Sequence, residues 1–368
     1  MKSVITMVGT SLMTNYISEN DDSKLLKNLY ERYKHKPASE YEINKDDITR
    51  LKKTLIKFAE ENKQASAEIR SLEKLSKEIP DDLSIHLLSS DTINSRICAE
   101  VIKDVLDGSL DVHFTDNNII RGLQVRDRKG FAEDGMENLF KRIEDITGGY
   151  YGDTIMNITG GYKAAIPLLT IFSQINQIPS YYIFEDIDAL MKIPLLPLSI
   201  NWEIFDNYAD IFHKVKESGG GVDDWNTISA KIEAKDRETI NACFEIDGND
   251  ADLSTFGRLL WKKYNAERYI FYLNDPIKSV LKNEPDSKKY FMKLFDDNFA
   301  LTKTENKNGH LVIDLGRTAP RIFYRQKDGY FYIYKYTRHD NEYERFLNSS
   351  SYQDLDDYGP FEIHNLKK

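Results

Sequence analysis

The sequence predicts an α/β protein: a mostly parallel sheet with helices on both faces, then a helical connector, then a small α+β domain with an antiparallel sheet. Three observations predict it. Short apolar runs alternate with helix-period stretches across residues 3–184, the pattern of strand–helix–strand units. Ser218-Gly219-Gly220-Gly221 then interrupts the chain, as a break between parts does. Beyond residue 298, strand-like runs follow one another at short spacing, which suits an antiparallel meander. The expected limits are 1–200, 201–265 and 266–368, and a chain of 368 residues has room for two domains of ordinary size.

Each element has a local reason. Residues 3–8 (SVITMV) form an apolar run that stops at Gly9, a buried strand followed by the loop GTSLMTN. Across 44–79, Ile48, Leu51, Leu55, Phe58 and Ala59, then Ile69, Leu72 and Leu75, share one helical side until Pro80-Asp81 ends the run. Residues 84–88 (SIHLL) read as a second strand and lead into Ser89-Ser90-Asp91-Thr92. Ile93, Ile97, Val101, Ile102 and Val105 then mark a helix with Asp91 or Thr92 as its N-cap. A third strand is expected at 111–114 and a helix at 133–146. Residues 153–157 (DTIMN) form a strand that runs straight into Ile158-Thr159-Gly160-Gly161-Tyr162-Lys163. A helix of small and apolar residues follows at 164–175, then Pro179 and a strand at 181–184. Residues 191–199 are expected to be extended, 201–217 helical, 223–243 a charged helix and 254–264 a short helix. The last part is expected to open with a strand at 267–273 (ERYIFYL) and a largely helical stretch at 276–298. Strands are then expected at 299–302, 310–314, 321–325 and 330–336, with a Lys327-Asp328-Gly329 turn before the last. A polar helical segment over 341–346 and a weakly patterned acidic tail complete the chain.

Composition narrows the class. Hydrophobic residues make up 40% and charged residues 30%, ordinary for a globular protein. The longest nearly apolar stretch, 164–172, falls short of the ~20 residues a membrane helix needs. The start lacks the basic-then-apolar pattern of a signal peptide. Cys98 and Cys243 are far apart, so a disulfide framework and a structural metal are not expected and a cytoplasmic protein is. The net charge of −10 is uneven: residues 301–346 hold nine basic against six acidic residues. Such a segment is either ordinary surface or a place to touch a phosphate polymer.

Two loops at strand ends carry candidate chemistry. Gly9-Thr10-Ser11 follows the first strand, and Thr159-Gly160-Gly161-Tyr162-Lys163 opens a helix. Glycines let backbone N–H groups approach an anion, and a helix N-terminus favours negative charge. Lys163 adds a full positive charge, and Ser11, Thr159, Ser89 and Ser90 add hydroxyl donors. The alternative is a pair of tight turns with a solvated lysine. Neither GxGxxG nor GxxxxGK[ST] occurs, so dinucleotide and P-loop sites are excluded.

The segments Met7-Val8-Gly9-Thr10-Ser11-Leu12-Met13-Thr14-Asn15 and Asn157-Ile158-Thr159-Gly160-Gly161-Tyr162-Lys163-Ala164-Ala165 resemble the CARF domain of CRISPR-associated proteins, over roughly residues 1–200. The resemblance implies a Rossmann-like domain in a homodimer that binds a cyclic oligoadenylate across its two-fold axis. Cyclic tetra-adenylate suits such symmetry and is the expected activating ligand, with no other cofactor. Gly9, Thr10, Ser11, Ser89, Ser90, Thr159, Gly160, Gly161 and Lys163 are the expected ligand-binding residues. Some members cleave their ligand, and for that the resemblance points to Ser11 and Lys163.

The C-terminal segment is basic and aromatic. On a strand, Arg321, Phe323 and Arg325 point one way and Ile322 and Tyr324 the other. The first face suits single-stranded RNA by phosphate pairing and base stacking; the alternative is a structural sheet with core aromatics and solvated arginines. Arg338, His339 and Tyr343 lie just beyond the next strand. Metal-free RNA cleavage by a substrate 2′-OH needs a base, an acid and positive charge at the phosphate, and His339 or Tyr343 could move protons. Residues 267–347 resemble a RelE-type toxin domain of YoeB-like kind, through the strand 267–273, the helical 276–298, RIFYR, the KDG turn, YFYIYKY and RHDNEYER. The resemblance implies an mRNA interferase with catalytic Arg321, Arg325, Arg338, His339 and Tyr343, acting on RNA free or on the ribosome. Lys303, Glu305 and Lys307 are the residues available where the family often has a lysine pair or a glutamate.

The expected function is therefore a cyclic oligoadenylate-activated endoribonuclease of CRISPR antiviral defence, free of metal and membrane. The alternative is a ring nuclease or sensor whose C-terminal domain is not catalytic. No histidine has an arginine at R-x₄₋₆-H spacing, against a HEPN ribonuclease. Glu233-Ala234-Lys235 matches a restriction-like E-x-K only in its letters.

Overall fold

The computed structural model describes residues 1–20, 24–62, 64–124, 131–184, 188–316, 320–327, 329–338 and 340–368. They divide into two compact units, Met1–Ile200 and Asn201–Lys368.

The first unit is built on a seven-stranded sheet. Its strands are β1 (Lys2–Val8), β2 (Leu83–Ser90), β3 (Asp111–His113), β4 (Ile119–Ile120), β5 (Thr154–Asn157), β6 (Ser180–Phe184) and β7 (Ala189–Ile193). The order is β3-β2-β1-β5-β6-β7, with β4 also on β2. All pairings are parallel except β6 with β7. Around it, in chain order, lie helices α1 (Ser11–Glu19), α2 (Lys24–Tyr33), α3 (Lys45–Glu61), α4 (Ala67–Glu78), α5 (Ile93–Leu106), α6 (Met136–Thr147) and α7 (Ala165–Ile175).

Strand β1 shows why both faces are covered. Val4 and Val8 pack into a cluster with Leu12, Leu51, Leu55, Ile97 and Val101, while the intervening Ile5 and Met7 are buried on the other side. Phe140 of α6 stacks on Phe172 of α7 at 4.8 Å. The chain leaves β1 toward β2 and β3 on one side and reaches β5 and β6 on the other. The strand order thus reverses between β1 and β5, and the loops at their carboxyl ends occupy the usual ligand position of open α/β sheets.

Several local expectations change. The loop expected after β1 is already helical from Ser11. The helix expected across 44–79 is two helices, because Ser66 caps α4 by accepting from the N–H groups of Glu68 and Ile69. Thr92 caps α5 through Ser95 N–H.

In the second unit, residues 201–266 hold α8 (Trp202–Glu217), α9 (Trp225–Ser229), α10 (Arg237–Asn241), a hairpin of β8 (Phe244–Asp247) and β9 (Asp250–Leu253), and α11 (Thr255–Ala266). The charged helix expected at 223–243 is thus two short helices, with Glu233-Ala234-Lys235 between them rather than on a strand. Phe212 stacks on Trp261 at 5.4 Å and Phe205 on Tyr264 at 5.6 Å, so this segment has an aromatic core.

A six-stranded sheet follows, in the order β11-β12-β13-β14-β10-β15. It comprises β10 (Arg268–Leu273), β11 (Thr304–Lys307), β12 (His310–Asp314), β13 (Arg321–Lys327), β14 (Tyr330–Thr337) and β15 (Glu362–Lys367). The sheet is mixed, since β10 and β14 are parallel. The strand expected at 299–302 is instead helix α14 (Asp297–Lys303), which follows α12 (Asp275–Asn283) and α13 (Lys288–Met292). Asp296 caps α14 through the Phe299 N–H, a local signal that outweighs the strand-like letters. Helix α15 (Asp340–Ser349) and the tail strand β15 complete the unit; β15 pairs with β10, a partner almost a hundred residues away that no local pattern announces.

Candidate functional site: a cradle at the β1/β5 switch point

The two glycine loops meet. Built on Gly9, a Cβ would lie 3.0 Å from the Gly161 nitrogen. Gly161 has φ +98°, and a Cβ there would be 2.5 Å from the Met7 Cβ. Only glycine meets both demands. Between the loops lies a residue the sequence reading passed over. Glu68, in the first turn of α4, is 1% exposed. Its Oε1 accepts from the Gly9 N–H at 2.8 Å, and its Oε2 accepts from the Ser11 hydroxyl at 2.5 Å and the Ser66 hydroxyl at 2.7 Å. A Cβ on Gly160 would come within 2.1 Å of Glu68 Oε1. The Gly-Gly pair is therefore set by Met7 and by a carboxylate. The signal that could have revealed Glu68 was Ser66-Ala67-Glu68, an N-cap with an acid in the first turn.

The other expected ligand residues divide. Thr10 is half-buried at the start of α1 and its carbonyl accepts from the Thr14 N–H. Thr159 is used within the fold: its hydroxyl donates to Asn157 Oδ1 at 2.8 Å and accepts from the Ile183 N–H at 3.0 Å. Asn157 in turn donates to the Ser71 hydroxyl at 2.8 Å. Ser89 is fully buried, and its hydroxyl has no partner among the described residues. Ser90 bonds the α5 cap residue Thr92 at 3.2 Å. Lys163 is exposed in the turn before α7. The structure therefore gathers Gly9, Ser11, Gly160 and Gly161 around Glu68 and gives Thr159 and Ser90 local bonds.

In the second unit, strand parity holds. Ile322 and Tyr324 enter one core cluster with Phe271, Ile277 and Phe291, and Phe323 enters another on the opposite face. That second face is covered: Phe323 is fully buried beneath Tyr343, Phe346 and the chain up to Phe361. Phe323 is thus core and presents no open surface for a base. Arg325 lies 3.8 Å over the Tyr352 ring and donates to the Gly309 carbonyl. Arg321 sits 5.2 Å from the Tyr343 ring centroid, with Asp314 at 4.0 Å. Burial pushes the Tyr343 hydroxyl pKa up, with Lys307 and Arg321 opposing and Glu305 and Asp314 reinforcing. Lys307 pairs with Glu305 at 2.7 Å. Arg338 is drawn away from this group to Glu284, at 2.6 Å, just beyond α12. His339 lies outside the described residues. Arg321 and Tyr343 are brought together; Arg325 and Arg338 are each engaged elsewhere.

His310 was also missed. It is fully buried, with Nδ1 2.9 Å from the Tyr334 hydroxyl and Nε2 3.3 Å from the Ser350 carbonyl oxygen. Burial lowers its pKa, with the Ser350 carbonyl opposing and the Arg325 charge adding to the fall.

Comparison with known families bears on the first unit. Residues 63–196 are similar to a family of CRISPR-associated proteins. The matching family is described as CRISPR-associated protein (Cas_APE2256), and the match spans α4, β5 and the Thr159–Lys163 loop. No curated protein matches the chain. Among the described residues no helix is long and apolar enough to cross a membrane.

Proposed function

We propose that this CRISPR-associated protein binds a cyclic oligoadenylate at the β1/β5 switch point as a homodimer and cleaves RNA in its C-terminal unit. The observation that carries the reading is the cradle itself. Two glycine loops meet at the strand-order reversal and hold an anionic group by a backbone N–H and a hydroxyl. Those donors suit phosphate oxygens equally well, and Lys163, exposed two residues after Gly161, is a cation that the same loop carries. The CRISPR-associated family match over residues 63–196 supports a place for such a sensor in CRISPR defence.

For RNA cleavage the supporting group is Arg321 and Tyr343, with Lys307, Glu305 and Asp314 around them. In the proposed step the substrate 2′-oxygen bonds to phosphorus and the bond to the 5′-oxygen breaks. The products are a 2′,3′-cyclic phosphate and a 5′-hydroxyl. Arg321 stabilises the extra charge on the phosphorane. Tyr343, held protonated by its raised pKa, gives its proton to the leaving 5′-oxygen. Glu305 and Asp314 are the carboxylates available to accept the 2′-OH proton.

The burial of Phe323 and the engagement of Arg325 and Arg338 favour a second reading, in which the C-terminal unit is not catalytic and the first unit binds or degrades the ring. One experiment separates them: RNA cleavage with and without cyclic tetra- and hexa-adenylate, in EDTA, with and without ribosomes. Ring-dependent cutting that survives EDTA supports the ribonuclease. No cutting under any condition, with the ring consumed, supports the second reading.

A further inference from the structure

We propose that Glu68 is an internal anion that fills the phosphate site of the first unit and must leave it before a ring phosphate can enter; this rests on the sensor reading above. The carboxylate is buried, and its three partners are neutral donors. Two of them, the Gly9 N–H and the Ser11 hydroxyl, are the donors a phosphate would take. A phosphate oxygen and a carboxylate oxygen compete for such groups on equal chemical terms. If both stayed, two anions would stand within a few ångströms, each disfavouring the other.

The pocket is shaped around the carboxylate as well. The absence of a side chain at Gly160 leaves the space that Glu68 Oε1 occupies. The third donor, Ser66, caps the same helix that carries Glu68, so a shift of the α4 N-terminus would withdraw acid and anchor together. The exchange has a consequence for selectivity. A single phosphate gains the two donors only by releasing the carboxylate, so little is won. A ring that also reaches Lys163, and the same loops of a second chain, gains contacts the carboxylate does not contest. Glu68 thereby raises the threshold against inorganic phosphate and mononucleotides.

The test is equilibrium binding of cyclic tetra-adenylate and of inorganic phosphate to the full chain and to Glu68→Gln, with a thermal melt to verify that both are folded. The amide keeps the shape and removes the charge, and the Ser11 and Ser66 hydroxyls can turn to accept from it. The expected result is ring binding about tenfold tighter in Glu68→Gln, with measurable phosphate binding appearing. Wild-type binding that Glu68→Gln leaves unchanged or weakens overturns the inference and leaves the sensor reading standing. Ring binding by neither protein overturns both. A crystal structure of the wild-type chain with the ring bound gives an answer that does not depend on the variant. Glu68 is expected off the Gly9 N–H and Ser11 hydroxyl, and a carboxylate still bonded to both refutes the exchange.

Discussion

The two units treat their expected sites in opposite ways. In the first, residues far apart in the chain converge, because loops at the carboxyl ends of neighbouring parallel strands share one edge of the sheet. In the second, residues adjacent in the chain are separated. Arg321, Phe323 and Arg325 share a face as period-two spacing requires, but α15 and the tail cover part of that face, setting Arg321 and Phe323 against Tyr343 and Arg325 against Tyr352. Strand spacing says which way a side chain points and nothing of what packs on it.

The comparison breaks most sharply at Phe323. As a fully buried ring it should cost about 3–5 kcal/mol of stability when changed to Ala, read as a lowered denaturation midpoint. A stable Phe323→Ala chain that has lost RNA binding would restore the open stacking face. Next is Arg321→Ala, expected to cut RNA cleavage about 10²–10³-fold with ring binding unchanged; Lys163→Ala should weaken ring binding and, through it, ring-dependent cleavage. Intact cleavage by Arg321→Ala would remove the ribonuclease assignment.

The first unit is sharpened by Gly160→Ala, whose methyl would collide with Glu68. A loss of about 1–3 kcal/mol is expected, with much of it recovered in Gly160→Ala/Glu68→Ala. Simple additivity in that pair would show that the two do not share the space.

The smallest effect is in pH. Burial, with the His113 and Arg142 charges adding, lowers the His86 pKa from 6.5 to about 4, and His310 is lowered in the same direction. Between the folded and unfolded values the unfolded chain binds more protons. His86 therefore contributes stability at neutral pH that falls away as pH drops from about 6.5 toward 4, and His310 acts in the same direction. His86→Gln should flatten the fall in melting temperature between pH 7 and pH 5.

Much of the fold was legible because its causes are local. The β1 and β5 runs, the Thr92 cap and the strands β10, β12, β13 and β14 all follow from patterns a few residues long. The same reasoning erred where a local signal was overlooked, as at Ser66, which splits the expected 44–79 helix, and at Asp296, which starts α14. Of the cradle, the sequence pointed to the glycines and to Ser11. It did not show that Thr159 and Ser90 bond within the fold.

What the sequence determined by itself, then, is the succession of strands and helices and the side each strand residue faces, since periodicity and capping act within a turn or a pleat. What tertiary structure alone decided is which residues meet at the two candidate sites. Glu68 reaches Ser11 across 57 positions, and the tail from 350 to 361 closes over Phe323. Both depend on which elements pack together, and packing is chosen by the burial of whole faces, a choice no short stretch of sequence contains.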